Sequence, residues 1–382
     1  MKDFLTRAIH GGRLEDTNYP GPSYPIYLSS TFNQKGLDEF GEFMYSRSGN
    51  PTRSNLEEQV ASLEDCQYVL ATASGMAATA IALSFLQAGD KILINSNVYG
   101  GTWTYVSDFL KQKGIDYEIV TDFNQYDFDQ VNPAVKAVFI ETPSNPLVEV
   151  TDIAAVSQAA KAKDLTVIVD NTFMTAYLQE PLKLGADIVV YSATKYYGGH
   201  SDLIAGLIAL NDEARYNDFK KQRKLYGSPL APFDCFLLSR GIKTMPLRID
   251  RQEANTKEVV EFLKNHPACD RVYYTGLDPE SKAYAIQTKQ AKGFGSLISF
   301  ELNEGYDLNA FFKALQVFDL AVSLGGVESL ICLPANMTHE DYEPELLDQI
   351  GIKANLLRVA IGIEGAEDLK EDLKQAFEAA KK

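Results

Sequence analysis

A chain of 382 residues exceeds one ordinary compact unit of about 100 to 200 residues, so two domains are expected, and a composition 45% hydrophobic and 23% charged argues against disorder. With 36 Lys plus Arg against 52 Asp plus Glu, the formal charge of -16 repels a phosphate backbone and an anionic membrane surface, so neither nucleic acid nor membrane is expected as a partner. Cys66, Cys235, Cys269, Cys332 and the four histidines have no disulfide or metal-ligand spacing, so no metal is assigned and the thiols suit a reducing compartment.

The opening MKDFLTRAIHGGRLEDT lacks a continuous apolar core of signal-peptide length, and no apolar run approaches the roughly 20 residues that span a bilayer, so a soluble, cytoplasmic protein is expected. Up to about residue 50 the chain is rich in Gly, Pro, Tyr and Ser without a sustained period, which reads as an extended arm, 1–48. From Gln67 short apolar runs alternate with amphipathic ones: QYVLAT, MAATAIALSFLQ, DKILIN, TWTYVSDFLKQK, VKAVFIET, DIAAVSQAAKAKD, LTVIVD and DIVVYS. The strands are apolar nearly throughout, as in a mostly parallel sheet covered on both faces, and they define a large domain over 49–240. Thr244 to His266 reads as a linking helix despite Pro246. DRVYY, SLISFEL, LLRVAIGI and a last helix with Leu369, Leu373 and Phe377 at one-turn spacing then form a smaller C-terminal α/β domain, 241–382.

In open α/β sheets ligands bind beyond the carboxyl ends of the strands. At the first such end, Ser74 and Gly75 lead into a helix near Met76, either a simple turn or a helix start that receives a phosphate. Asp170 ends LTVIVD, either as a cap or as a buried acid partnering a cationic ring nitrogen. Lys195 follows DIVVYS, with Ser192 and Thr194 beside it; it is either a surface lysine or an amine that forms a Schiff base with a carbonyl. Phosphate turn, buried acid and strand-end lysine together are the protein parts that pyridoxal phosphate requires. GFGS (293–296) offers a competing reading as a nucleotide-binding loop, but it lacks the Rossmann or P-loop spacing.

The motifs YSRSGNPTR (45–53), ASGMAA (73–78), VYGGT (98–102), ETPSNP (141–146), VDNTF (169–173), SATKY (192–196), GHSD (199–202), SLGGVESL (323–330) and MTH (337–339) run the length of the chain. They resemble the Cys/Met-metabolism family of pyridoxal-phosphate enzymes: cystathionine γ-lyase and β-lyase above all, with methionine γ-lyase and cystathionine γ-synthase near them. The resemblance implies the aspartate aminotransferase-like fold type I of PLP-dependent transferases and pyridoxal 5'-phosphate held as an internal aldimine on Lys195. It implies a ring nitrogen proton held by Asp170, a phosphate bound by Gly75, Met76, Ser192 and Thr194, and Tyr99 stacked on the ring and acting in catalysis with Lys195. Tyr45 and Arg47 would reach the cofactor phosphate of a neighbouring subunit, making a homo-oligomer, a tetramer built as a dimer of dimers, with shared sites. Asn145, Ser323 and Arg358 would hold the substrate carboxylate.

The implied reaction is β- or γ-elimination on a sulfur L-amino acid (cystathionine, cysteine, homocysteine or methionine), releasing a thiol or hydrogen sulfide, ammonia and a 2-oxo acid. The alternative is γ-replacement of O-acyl-homoserine by cysteine, as in cystathionine γ-synthase. Trp103, Thr104, Val322 and Ser48 depart from the family pattern at positions that usually face the distal end of the substrate, which points toward smaller sulfur amino acids. Gly101 stands where methionine γ-lyases carry cysteine, and Ala176 where a proline is common.

Overall fold

The computed structural model describes residues 2–16, 19–340 and 342–382. Strands β1 (Tyr68–Thr72), β2 (Lys91–Asn95), β3 (Asp116–Val120), β4 (Val135–Glu141), β5 (Thr166–Asp170), β6 (Ile188–Ser192) and β7 (Gly206–Leu210) form a seven-stranded sheet in the order β1-β7-β6-β5-β4-β2-β3. A second, five-stranded sheet orders β8 (Cys269–Tyr273), β9 (Leu297–Leu302), β10 (Asp319–Leu320), β11 (Leu330–Cys332) and β12 (Leu356–Ala360) as β10-β11-β12-β9-β8. The chain divides into two compact units, Met1–Phe85 with Asp170–Pro246, and Leu86–Val169 with Leu247–Lys382.

In the first unit β7 runs antiparallel to both neighbours, pairing Thr72 with Gly206 on one side and Ser192 with Gly206 on the other. Gly206 is required there, because a Cβ would lie 2.1 Å from the Ser74 carbonyl oxygen and 2.5 Å from Thr72 Oγ1. The strands carry Val69, Leu70, Ile188, Val189, Leu207 and Ile208 almost wholly buried, so each is apolar on both faces and shows no period of two. The arm is less featureless than its composition suggests. A helix spans Phe4–His10, capped by Asp3 accepting from the Leu5 N–H and burying Phe4 and Ala8. Two turns with two buried positions are too short to show a period.

In the second unit β2 lies parallel to both β3 and β4. The predicted helix after Tyr99 forms, but its second half, Tyr105–Leu110, is wound in the wider i to i+5 form. The helix Met245–Lys264 accommodates Pro246 because the proline falls in the first turn, where its missing N–H has no intrahelical partner to lose. The last helix, Ala366–Ala380, buries Leu369, Leu373 and Phe377 as their spacing predicts, and Phe377 stacks on Phe311 at 5.0 Å between ring centroids.

Candidate active site

Strand β6 is buried through Tyr191 and ends at Ser192, where the chain folds into a turn closed by its own backbone. The Lys195 N–H donates to the Ser192 carbonyl at 3.2 Å, Gly198 N–H to Ala193 at 2.9 Å and Gly199 N–H to Lys195 at 2.7 Å. Thr194 fastens the turn to the residue before β7: its N–H donates to the Ala205 carbonyl at 3.2 Å, and its hydroxyl accepts from the Ala205 N–H at 2.9 Å. Lys195 is thereby held half-buried at a strand end, in a turn whose Ala193, Tyr196 and Tyr197 are buried.

The helix Gly75–Ala82 starts against that strand end. A Cβ on Gly75 would lie 2.8 Å from Ser192 Cβ and 2.9 Å from its Cα, so only glycine allows the approach. Ser74 caps the helix, its hydroxyl accepting from the Ala77 N–H at 3.1 Å. The N–H groups of Gly75 and Met76 lie outside the intrahelical ladder, and with the Ser192 hydroxyl they form a cradle of the kind that accepts a phosphate. Thr172 ties the acid to this cradle, since its N–H donates to Asp170 Oδ1 at 2.9 Å and its hydroxyl accepts from the Ser192 N–H at 2.8 Å. Burial pushes the Asp170 carboxyl above its ordinary range while Thr172 pulls it back. A cation beside it, such as a protonated pyridine nitrogen, lowers it further. Glycine cradle, acid and amine all fit pyridoxal phosphate.

Asn50 and Arg53 explain the YSRSGNPTR motif. Asn50 caps the helix Pro51–Glu64, accepting from the Thr52 N–H at 2.9 Å, and donates to the Tyr27 carbonyl at 2.8 Å and the Ser46 hydroxyl at 3.0 Å. Arg53, 2% exposed, donates to the Ser46 carbonyl at 2.7 Å. The residue between Tyr45 and Arg47 is therefore fixed while both neighbours project. Tyr45 is 45% exposed, with the Arg47 guanidinium 5.5 Å from its ring centroid. Neither is hydrogen-bonded to Gly75, Ser192 or Thr194 among the described residues.

The second unit gathers the remaining candidates. Arg358 lies on β12 opposite Ser299 of β9 and Cys332 of β11 and is 3% exposed. It donates to Asn145 Oδ1 at 3.0 Å and to the Ser323 carbonyl at 2.8 Å. Its Nε is buried without a hydrogen-bond partner among the described residues. An unmade bond of that kind costs about 1 to 3 kcal/mol, which an incoming carboxylate would recover. Ser323 is held at a φ of 91°, a left-handed conformation unusual for a residue with a side chain.

His339 of MTH and Glu141 of ETPSNP carry no role that their motifs alone assign, yet both are buried in the fold. The His339 ring is fully buried, contacts the Asn145 carbonyl through Nε2 at 3.1 Å and meets the Thr338 hydroxyl through Nδ1 at 2.9 Å. Burial, aided by the Arg358 charge, lowers its pKa to about 4, so the ring is neutral and its Nε2 carries the proton donated to Asn145. Glu141, 5% exposed, accepts from the Tyr99 N–H through Oε2 and from the Asn145 N–H through Oε1, both at 2.9 Å. The Tyr99 side chain itself is 46% exposed. Trp103, at a position that the resemblance sets toward the distal end of the substrate, is 7% exposed and stacked on Tyr342 at 4.9 Å. Val322, by contrast, is 51% exposed.

The glycines of GFGS do not serve a nucleotide. The N–H groups of Phe294 and Gly295 both donate to Glu253 Oε1 at 2.7 Å, so a protein carboxylate already occupies them. The family model for Cys/Met metabolism PLP-dependent enzymes matches residues 5–378.

The chain belongs to that family.

Relatives and structures of the Cys/Met-metabolism PLP family follow it over its length. A cystathionine beta-lyase of Lactococcus lactis subsp. cremoris (strain MG1363) is 45% identical over 379 residues, covering 99% of this chain and 100% of the relative. The crystal structure of cystathionine gamma-lyase from Lactobacillus plantarum complexed with L-serine matches with a TM-score of 0.96 and 42% identity over 99% of each chain. That of cystathionine gamma synthase from Xanthomonas oryzae pv. oryzae in complex with aminoacrylate and cysteine matches with a TM-score of 0.95 and 38% identity, over 99% of this chain and 98% of the other. The expected fold type I, with a large mostly parallel sheet and a smaller second sheet, is borne out. So is the dependence on pyridoxal phosphate.

Proposed function

We propose that this enzyme is a carbon–sulfur lyase that eliminates a sulfur leaving group from Cβ or Cγ of an L-amino acid, giving a thiol or hydrogen sulfide, ammonia and a 2-oxo acid. The observation that carries the reading is the buried Arg358, pinned by Asn145 and Ser323 yet with Nε lacking a hydrogen-bond partner among the described residues, because it suits an α-carboxylate. Pyridoxal 5'-phosphate, when bound, holds the substrate amino group and takes up the electron pair left at Cα. The side chains do the rest. Lys195 would hold the cofactor through its Nζ, and the same amine would serve as the base for the substrate Cα proton; for a Cγ leaving group it would also move a proton from Cβ. Asp170 keeps a proton on the ring nitrogen, Gly75, Met76, Ser192 and Thr194 bind the phosphate, and Tyr99 donates its hydroxyl proton to the departing sulfur. Tyr45 and Arg47 complete the phosphate site of a neighbouring subunit, so the working form is a homo-oligomer, a tetramer of paired dimers. The compartment is the cytoplasm; among the described residues no helix is long and apolar enough to cross a membrane. The division into arm 1–48, cofactor segment 49–240 and C-terminal segment 241–382 is a functional one.

Elimination is favoured over γ-replacement because Val322, 51% exposed, supplies no charge for a distal substrate group. Lys195→Ala should lose both the near-visible cofactor absorption and turnover; near-wild-type turnover refutes the assignment. Assays with cystathionine, cysteine, homocysteine and methionine separately, and with O-acyl-homoserine plus cysteine, decide the substrate. Fastest turnover in the last mixture overturns elimination as the main reaction.

A further inference from the structure

Tyr99 and Asn145 stand at the ends of different strands, Tyr99 beyond β2 and Asn145 beyond β4, 46 positions apart by their numbers. One carboxylate joins them. Glu141 closes β4, its own N–H donates to Asn95 Oδ1 at the end of β2 at 2.8 Å, and its two oxygens divide between the Tyr99 and Asn145 amides at 2.9 Å each. The Tyr99 N–H opens the helix Gly100–Thr104, so a carboxylate there also faces the positive end of the peptide dipoles. Asn145 in turn is held through its carbonyl by His339 and through its side chain by Arg358.

A buried carboxylate is costly to keep unless hydrogen-bonded. Two amide donors aimed at two oxygens need two acceptors, and among side chains of this length only glutamate presents both. Glutamine would turn an NH2 donor toward one of the two N–H groups.

We propose that Glu141 is a positioning residue for the reaction, setting with one carboxylate both the Tyr99 hydroxyl that serves the leaving group and the Asn145 amide that orients Arg358. The inference rests on the roles given above to Tyr99 and Arg358. It has a kinetic signature of its own: disturbing Arg358 alone raises KM, disturbing Tyr99 alone lowers kcat, and disturbing Glu141 does both. A residue that served only the fold would reduce the active fraction, lowering apparent kcat at unchanged KM.

The test compares Glu141→Gln, Tyr99→Phe and Arg358→Lys as cofactor-loaded enzymes on the best substrate of the panel. The second readout is the amide shifts of Tyr99 and Asn145 in protein labelled with 15N-tyrosine and 15N-asparagine, which report the clamp whatever the substrate. For Glu141→Gln the expected results are movement of both amide resonances, a kcat about tenfold lower and a KM about tenfold higher, each equivalent to about 1.4 kcal/mol. A kcat/KM within twofold of wild type, or a fall in kcat at unchanged KM, overturns the proposal. If Glu141→Gln does not fold, Asn95→Ala, which removes the acceptor for the Glu141 N–H, replaces it and must show the same double change at several-fold size; normal kinetics there overturn it too. Should Tyr99→Phe and Arg358→Lys leave kinetics untouched while the amide shifts move in Glu141→Gln, the functional reading fails and the clamp itself stands.

Discussion

Glu64 ends the helix Pro51–Glu64, where unpaired carbonyls already concentrate negative charge, and it is 2% exposed. Tyr197, two residues beyond Lys195, donates its hydroxyl to Glu64 Oε1 at 2.6 Å. Burial raises the carboxyl from 4.5 to about 7; Glu180 pushes the same way, while Tyr197, Tyr191 and Arg7 oppose. The folded protein thus holds a proton that the unfolded chain releases, so this group costs stability as pH rises from 4.5 to about 7 and no more above that. The cost is on the order of 3 kcal/mol. Glu64→Gln, which still accepts from Tyr197, should match wild type in Tm near pH 4.5 and exceed it by a growing margin up to pH 7. Calorimetry across that range checks it, and a Tm difference that does not change with pH sinks the explanation. His339 acts with the opposite sign. Its pKa is lowered from 6.5 to about 4, so the stability of the neutral ring is complete above pH 6.5 and is lost as pH falls toward 4.

At the scale of elements, the proposed cofactor cradle depends on how closely the helix Gly75–Ala82 approaches β6. Gly75→Ala places a methyl carbon 2.8 Å from Ser192 Cβ and 2.9 Å from the backbone Cα, neither of which can move without shifting the strand end. Cofactor affinity should fall about tenfold or more, with far-ultraviolet circular dichroism unchanged; affinity like that of the wild type would show that the close approach is dispensable for binding. The same dependence on close approach recurs at Gly100, where a Cβ would lie 2.4 Å from the Thr338 carbonyl oxygen. Buried apolar strands such as LTVIVD and DIVVYS were legible because hydrophobic runs of that length have few other homes. Gly206–Leu210 and Asp116–Val120 were not read as strands. The first opens on glycine, and the second mixes charged with apolar residues at the sheet edge, with Asp116 exposed.

On the scale of the whole molecule, the exposed Tyr45 and Arg47 sit on an arm that also exposes Leu28 at 71%, Leu37 at 90% and Phe40 at 60%, the kind of apolar surface a second copy would cover. If sites are shared, Lys195→Ala and Arg47→Ala subunits complement one another. Each homomer should be nearly inactive, and subunit exchange between them should restore activity, because one site of each hybrid pair combines an intact Lys195 with an intact Arg47. Failure to recover activity in a proven hybrid would confine each site to one chain. The chemistry was readable from sequence where its groups are neighbours in the chain: Ser192, Thr194 and Lys195 occupy one turn, Ser74 to Met76 one helix start, and a strand end brings such residues to the ligand face by itself. Glu141 meets Tyr99 across 42 residues and Arg358 meets Asn145 across 213. Those partnerships exist only after the strands have taken their order and register, since a slip of one residue turns every side chain to the opposite face. Sequence alone therefore pointed to the cofactor and to the candidate groups that would react with it, whereas tertiary structure decided which buried acid, histidine and strained serine surround the candidate residues, and that Trp103 is buried, because burial and long-range hydrogen bonding are properties of the packed chain.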